Sequence, residues 1–204
     1  MVYYQVMPNR ARVARRRGRP PRGESLGRDD VIRAAADLVD REGPSTLSLA
    51  RLAHQLGRHA TSLYAHVSGL DDVRRGVALL AADELAEKIW STTIGKVGAD
   101  ALAAIAREYR SYAAEHPGRT AALSATDRDD PEFAARMTRL HEPLAATFRS
   151  FGLDEAQAAS AHQIFGATIN GLVNTGGAEE LDQAVALFVV AMSTNAWPVA
   201  RARR

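Results

Sequence analysis

The chain has 204 residues, 46% of them hydrophobic, with a formal net charge of +2 at pH 7 and no cysteine. This length and composition indicate a globular protein with a core, and they exclude disulfides, thiolate metal sites and cysteine nucleophiles. The longest apolar runs, such as 184–192, fall well short of the roughly 20 residues that span a bilayer. Because the N-terminus also lacks the apolar segment of a secretory signal, we expect a cytoplasmic protein with no membrane partner.

Positive charge is concentrated at the N-terminus. Residues 1–28 hold eight arginines and one acid, a net charge of +7 that leaves −5 on the rest of the chain. A basic arm on an acidic body favours a polyanionic partner, either nucleic acid or an anionic membrane. The prolines and glycines of RRRGRPPRG oppose helix formation, and its arginines repel one another. Residues 1–26 are therefore predicted to form a disordered arm.

Three helices are predicted next along the chain. Apolar residues recur at helical spacing over 28–42, which indicates the first helix. Ser45 or Thr46 is the predicted cap of a second helix, and Gly57 permits the backbone reversal after it. The third helix is very short and is predicted over 60–67.

The remainder also follows helical periodicity. We expect a linking helix over 70–90, followed by four longer amphipathic helices at 98–115, 131–151, 154–175 and 181–196. No window shows the strict alternation of a half-buried strand. The predicted fold class is therefore all-α.

The two short helices joined by a glycine turn fit the helix-turn-helix motif, in which the second helix enters the major groove of DNA. That helix needs small, hydrogen-bonding side chains, because bulky ones would hold its axis away from the base edges. Thr61, Ser62 and Ala65 meet this requirement. From spacing alone, an ordinary corner of a helical bundle explains the pattern as well.

The order of residues favours the DNA-binding interpretation. TLSLARLAHQLGRHATSLYAHVSGLDDV, residues 46–73, resembles the DNA-binding segment of the tetracycline-repressor (TetR) family of transcriptional regulators. The elements that carry the resemblance are Leu52-Ala53, Gly57, Leu63-Tyr64, His66-Val67 and Asp71-Asp72. The resemblance implies that Thr61, Ser62 and Ala65 face bases, and that Ser48, Tyr64 and His66 contact phosphates. The alternatives are a core aromatic for Tyr64 and an incidental surface position for His66.

The motif departs from the family pattern at three positions. Arg58 stands where a small apolar residue usually packs inside the turn, His59 replaces the usual helix cap, and Leu70 occupies a position that is often a phosphate-contacting lysine. Arg58 and His59 can both be cationic, so we include them among the candidate DNA contacts. Equally, they weaken the match to the motif.

The arm offers a substitute for the missing lysine. Arg17-Gly18-Arg19-Pro20 resembles the core of the AT-hook, whose slim backbone lets arginines enter a narrow minor groove. Arg17 and Arg19 are therefore candidate DNA contacts. The alternative is a solvated tail that raises affinity without sequence preference, through counterion release.

The C-terminal half shows a looser resemblance to the regulatory domain of one large branch of the same family, over 106–123 and 167–189. It implies an effector cavity among the later helices and a homodimer formed by the last two long helices. Six aromatic or polar residues are candidate ligand contacts, with a core role as the alternative for each. They are Tyr109, Tyr112, His141, His162, Phe165 and Asn170.

These observations predict a sequence-specific transcriptional regulator, a repressor released from a palindromic DNA operator by an unknown small-molecule effector. The predicted domains are the arm at 1–26, the DNA-binding domain at 27–75 and the regulatory and dimerisation domain at 76–200. The alternative is a ligand-binding or interaction dimer whose helix-turn-helix no longer reads sequence. An enzyme ranks third because the six histidines form no HExxH and no GxSxG or Gly-rich phosphate loop is present. No metal or cofactor is expected.

Overall fold

The structure, a computed structural model, describes residues 26–175 and 177–194, except for the side chain of residue 174, and every element in these ranges is helical. The helices are α1 (Arg28–Glu42), α2 (Leu49–Leu56), α3 (Ala60–Leu63), α4 (Leu70–Thr93), α5 (Gly98–Glu115), α6 (Pro117–Ala125), α7 (Pro131–Ser150), α8 (Glu155–Thr175) and α9 (Ala178–Ser193). The all-α prediction is confirmed. None of the described helices combines the length and the apolar character that a membrane span requires.

Several helix bounds differ from the sequence-based expectation: α3 ends at Leu63 rather than at 67, and α9 covers Ala178–Ser193 rather than 181–196. The predicted caps Ser45 and Thr46 lie in a 3₁₀ turn, Pro44–Thr46, and Ser48 caps α2 instead by accepting a hydrogen bond from the backbone nitrogen of Arg51 at 3.3 Å. The segment HPG at 116–118 is not simply a break, because Pro117 opens the additional helix α6. Proline suits the first position of a helix, where its missing N–H has no intrahelical partner in any case.

The N-terminal helices enclose their own apolar cluster. Val31 of α1, Leu52 of α2, Leu63 of α3 and Val73 of α4 are fully buried in it. Each comes from the inward row of its helix, so the two short helices are held by side-chain packing rather than by their own propensity. The opposite faces of α2 and α3 are consequently left to solvent.

A second apolar cluster joins α4 and α5 to the later helices. The rings of Phe148 and Phe165 meet edge to face at 5.8 Å, and those of Phe165 and Phe188 at 5.0 Å. Leu85 of α4 is fully buried in this cluster, whereas Val77, two turns earlier, belongs to the N-terminal one. Because α4 is part of both clusters, it transmits the position of one to the other.

Helix α6 packs against α1 and forms the second connection between the N-terminal helices and the later ones. A Cβ on Gly118 would overlap the carbonyl group of Val39 and lie 2.6 Å from the backbone nitrogen of Asp40. The two backbones are therefore in direct contact, and glycine is the residue that permits this approach.

Ion pairs and hydrogen bonds of the neighbouring Arg119 hold α6 against α1. Its side chain, 9% exposed, donates to Oδ1 of Asp37 at 2.6 Å, and its Nη1 lies 3.6 Å from Oε2 of Glu84 on α4. Its backbone nitrogen donates to Oδ1 of Asp40 at 2.9 Å. Since carboxylates from α1 and α4 surround one buried guanidinium from α6, the three helices are held in one arrangement. We call Asp37, Asp40, Glu84, Gly118 and Arg119 the α1–α6 junction.

Gly118→Ala tests the junction. The added methyl group has no space beside Val39, so the free energy of unfolding should fall by about 1–3 kcal/mol, measured by chemical denaturation. Gly166→Ala is the matched control, because its Cβ meets no atom within 4 Å; it should be neutral or stabilising by up to about 1 kcal/mol. Equal effects of the two substitutions would contradict the close approach.

Candidate DNA interface and ligand cavity

The turn between α2 and α3 is built around Gly57. This residue adopts a left-handed conformation with φ of 64°, and the backbone nitrogen of Arg58 donates to the carbonyl of Ala53 at 2.9 Å. The reversal places Leu52 and Leu63 in the same buried cluster. The packing fixes the angle between the two helices and presents the outer face of α3 to solvent.

The predicted DNA contacts lie on this outer face. Arg58, His59, Thr61, Ser62, Tyr64 and Ala65 are exposed, and Ser48 and His66 are half-buried. Tyr64 is 60% exposed, which makes the alternative of a core aromatic wrong. Arg17 and Arg19 lie outside the described residues. The exposed candidates therefore lie on the turn, on α3 and directly after it, while Ser48 lies at the start of α2.

Ser62 has a role at the start of α3 that the sequence analysis missed. His59 is the residue before the helix, and its side chain accepts no capping hydrogen bond from the first turn. The Ser62 hydroxyl donates to the carbonyl of His59 at 2.6 Å. A hydroxyl has one hydrogen and two acceptor lone pairs. With its hydrogen used in this bond, Ser62 is suited to accept from an amino group, such as that of cytosine or adenine.

The arginines near α3 differ in whether they form ion pairs. Arg51 forms an ion pair with Glu42, and Arg74 pairs with Asp71 at 2.9 Å. Among the described residues, Arg58 takes part in no ion pair. Its charge is therefore available to a phosphate group.

A second residue missed from sequence holds the far end of the motif. Arg28 of α1 donates through both Nη atoms to Asp72 of α4, at 2.6 and 2.7 Å, and through Nη1 to the carbonyl of His66 at 3.4 Å. Asp72 also accepts from the backbone nitrogen of Ser68 at 2.9 Å. The hydrogen bonds from Arg28, followed by those from Ser68, hold the pKa of Asp72 well below its ordinary value. This interaction fixes the chain that leaves α3.

A cavity of about 90 Å³ lies among α4, α5, α7 and α8. Five of the six predicted ligand contacts line it: Tyr109, His141, His162, Phe165 and Asn170. The hydroxyl of Tyr109 donates to Oδ1 of Asn170. This inner cavity is therefore formed by the residues that the sequence singled out, with Tyr112 as the exception.

Tyr112 is not a cavity residue, and that prediction is corrected. It is fully buried, its hydroxyl donates to Oε2 of Glu84 at 3.0 Å, and its ring lies 4.9 Å from that of His116. It lies three positions after Tyr109, about 60° away around the helix axis, and this difference directs it toward α4 and the α1–α6 junction.

An outer cavity of about 560 Å³ adjoins the inner one. The residues common to both form what we call the neck: Tyr109, Leu140, His141, His162, Gly166 and Asn170. The imidazoles of His141 and His162 meet edge to face at 4.6 Å. Burial, then the neighbouring His162 and Arg128, lowers the pKa of His141 to about 4, and burial also lowers that of His162. Both shifts favour the neutral form of the imidazoles.

The fold and the exposed face of α3 define a helix-turn-helix protein with a separate C-terminal cavity. Residues 102–190 match the family model described as tetracyclin repressor-like, C-terminal domain. The chain is 35% identical over 179 residues to the HTH-type transcriptional regulator Rv0681 of Mycobacterium tuberculosis, covering 81% of this chain and 82% of that protein. It therefore belongs to the TetR family of transcriptional regulators, which bind DNA through this motif.

Solved structures agree with this assignment of the fold. BioQ of Mycobacterium smegmatis superposes with a TM-score of 0.64 at 20% identity, covering 83% of this chain and 99% of that one; BioQ has also been solved with its natural double-stranded DNA operator. The TetR family protein ActR of Streptomyces coelicolor, in complex with (S)-DNPA, gives a TM-score of 0.56 at 19% identity, covering 86% and 89%.

Asp72→Asn tests the interaction that holds the end of the motif. A depressed folded-state pKa stabilises the protein above the unfolded carboxyl pKa of about 4, and this stabilisation is lost as the pH falls below it. The variant should unfold at a lower temperature than the wild type at pH 7, and the difference should shrink below pH 4. The exposed Asp71→Asn is the control and should follow the wild type. A difference in unfolding temperature between Asp72→Asn and the wild type that stays the same from pH 7 to below pH 4 would contradict this role.

Proposed function

We propose that the chain is a homodimeric repressor that binds a near-palindromic operator through two copies of α3 and is released by a small-molecule effector in the C-terminal cavity. The proposed domains are the arm at 1–26, the DNA-binding domain at 27–75 and the regulatory and dimerisation domain at 76–200. The observation that carries the proposal is the junction of α6 with α1. It links the helix that lines the outer cavity to the helices that present α3.

The exposed face of the motif supports the DNA contacts. Thr61, Ser62 and Ala65 are small enough for the helix axis to approach base edges, and Tyr64 and Arg58 extend from it toward the phosphates. Ser48 and His66 flank this face as further phosphate contacts, and Arg17 and Arg19 would add contacts from the arm. The operator complex of BioQ supports this use of the fold.

Exposed apolar side chains on α8 and α9 support the dimer. Ile164 is 48% exposed, Leu187 71% and Val190 59%. Apolar side chains concentrated on one face of a helix are typical of a protein interface. A two-fold pairing of these helices would cover them and present two α3 helices on one side of the dimer.

The coupling follows from the position of α6. Gly118 and Arg119 at its start contact α1, while Leu123 and Ser124 near its end line the outer cavity. An effector that binds better to a shifted position of α6 would shift α1, and with it the spacing of the two α3 helices. Operators with half-sites at the original spacing would then be released.

Selection of full-length protein against a random duplex pool at physiological salt tests the function. Enrichment of a palindromic site with half-sites about one helical turn apart is expected. Failure to enrich any sequence, with a protein shown to be folded and dimeric, would favour the alternative of a sequence-blind motif.

Two substitutions separate the proposed contacts. Tyr64→Phe should weaken binding to every duplex by a similar factor, whereas Thr61→Ala should change the preferred base at one position of each half-site, at a cost on the order of 1 kcal/mol. Thr138→Ala, on the exposed face of α7, is the control for a lost threonine hydroxyl. Binding curves on the selected site and on single-base variants measure both effects, and identical profiles for Tyr64→Phe and Thr61→Ala would refute the assignment.

Leu187→Glu tests the dimer. A carboxylate in an apolar interface is costly, so the variant should be monomeric in sedimentation experiments at concentrations where the wild type is dimeric. Ile94→Glu is the matched control, because Ile94 is 80% exposed in the loop after α4, away from the proposed interface. A dimer that survives Leu187→Glu but not Ile94→Glu would place the interface elsewhere.

A further inference from the structure

Apolar and polar side chains line different parts of the two cavities. Six residues line the inner cavity without belonging to the neck, and all are apolar: Ile89, Ile105, Ala106, Leu144, Phe165 and Ile169. The polar side chains of the inner cavity, from Tyr109, His141, His162 and Asn170, all lie at the neck. A bound molecule therefore has an apolar body inside and a polar group at the neck.

The charges around the neck select among polar groups. Among the described residues that line either cavity, Arg128 is the one charged side chain, and no carboxylate is present. Arg128 forms no ion pair with the described residues. A cationic ligand would be buried without a counter-charge, which is unfavourable, whereas an anion would face the Arg128 guanidinium and two imidazoles.

The histidine pair is suited to bind such an anion. Neither imidazole makes a hydrogen bond with the described residues, although both rings line the neck. Their surroundings contain Tyr109 from α5 and Arg128 from the loop after α6; α4 contributes only Ile89 to the lining, and α9 contributes no residue. Burial in these surroundings disfavours the charged imidazole. A carboxylate at the neck reverses that balance, because an opposite charge nearby favours protonation.

On the basis of the proposed effector site, we propose that the effector is an amphipathic weak acid. Its alkyl or aryl body occupies the inner cavity, and its carboxylate contacts His141 and His162 at the neck, facing the outer cavity that Arg128 lines. Binding of the anion is accompanied by uptake of one proton from solvent onto the histidine pair. The proton leaves a buffer acid or water and forms an N–H bond on one imidazole; no other covalent bond forms or breaks.

The test compares ligands that differ only in the polar group. The probes are octanoate, octan-1-ol and octylamine, with 4-phenylbutyrate and its matching alcohol and amine as a second series. Calorimetry at pH 6.5 in two buffers of different ionisation enthalpy gives the affinity and the number of protons taken up. We expect the better acid to bind at least about tenfold more tightly than its alcohol, the amine to bind most weakly, and about one proton to be taken up per bound acid.

Variants assign the effect to the neck. His141→Gln and His162→Gln retain hydrogen-bonding groups that cannot take up a proton, so the advantage of the acid over the alcohol should fall by about tenfold while alcohol binding persists. His54→Gln, on the exposed face of α2, is the matched control and should keep the advantage. Thermal unfolding of each variant establishes that it is folded.

Several outcomes would overturn the inference: an acid that binds no better than its alcohol or amine, an acid advantage without proton uptake, or no binding by any acid of either series. Operator selection is run on the same preparation to separate the two proposals. A selected operator without acid binding would refute the effector class and leave the repressor standing. Acid binding without a selected operator would leave the cavity assignment standing and refute the repressor.

Discussion

The contact between α6 and α1 is the interaction on which the rest of the structure depends. Gly118 allows the two backbones to touch, and the Arg119 guanidinium then lies among carboxylates from α1 and α4. A buried guanidinium is stable only while its partners stay within reach, so α1, α4 and α6 are restricted to a narrow range of relative positions. Because α1 shares its apolar cluster with α2 and α3, the orientation of α3 depends on a contact outside the helix-turn-helix motif.

The same helix also lines the outer cavity. Leu123 and Ser124 line the outer cavity at one end of α6, while Gly118 and Arg119 contact α1 at the other. Well-packed interfaces tend to switch between discrete arrangements rather than deform smoothly. A molecule in the outer cavity would therefore contact the same short helix that forms the junction. Tyr112 adds a second link between the cavity and the junction. It lies on α5, which also carries the neck residue Tyr109, and its hydroxyl donates to Glu84 of the junction.

The fold was predictable from sequence to the extent that local signals determine it. Helical periodicity gave α1 and α5 at their observed bounds, and Gly57 marked the turn of the motif. Helix α6 was missed because Pro117 both ends and begins helices, and sequence alone does not say which applies. The partnership of Arg28 with Asp72 was missed because 44 residues separate them, and Tyr112 was misplaced because helical phase near Tyr109 depends on packing. Long-range pairing is therefore where the structure adds most.

The most direct test measures whether the junction positions the DNA-reading helices. Since the chain has no cysteine, Ala50→Cys on the exposed face of α2 gives one spin-label site per protomer, and pulsed electron resonance gives the distance between the two labels in the proposed dimer. One narrow distance distribution is expected in this background. Adding Asp40→Asn and Arg119→Gln should broaden or displace it while the helical content and the dimer persist. An unchanged distribution would contradict the claim that the α6 contact sets the orientation of α3.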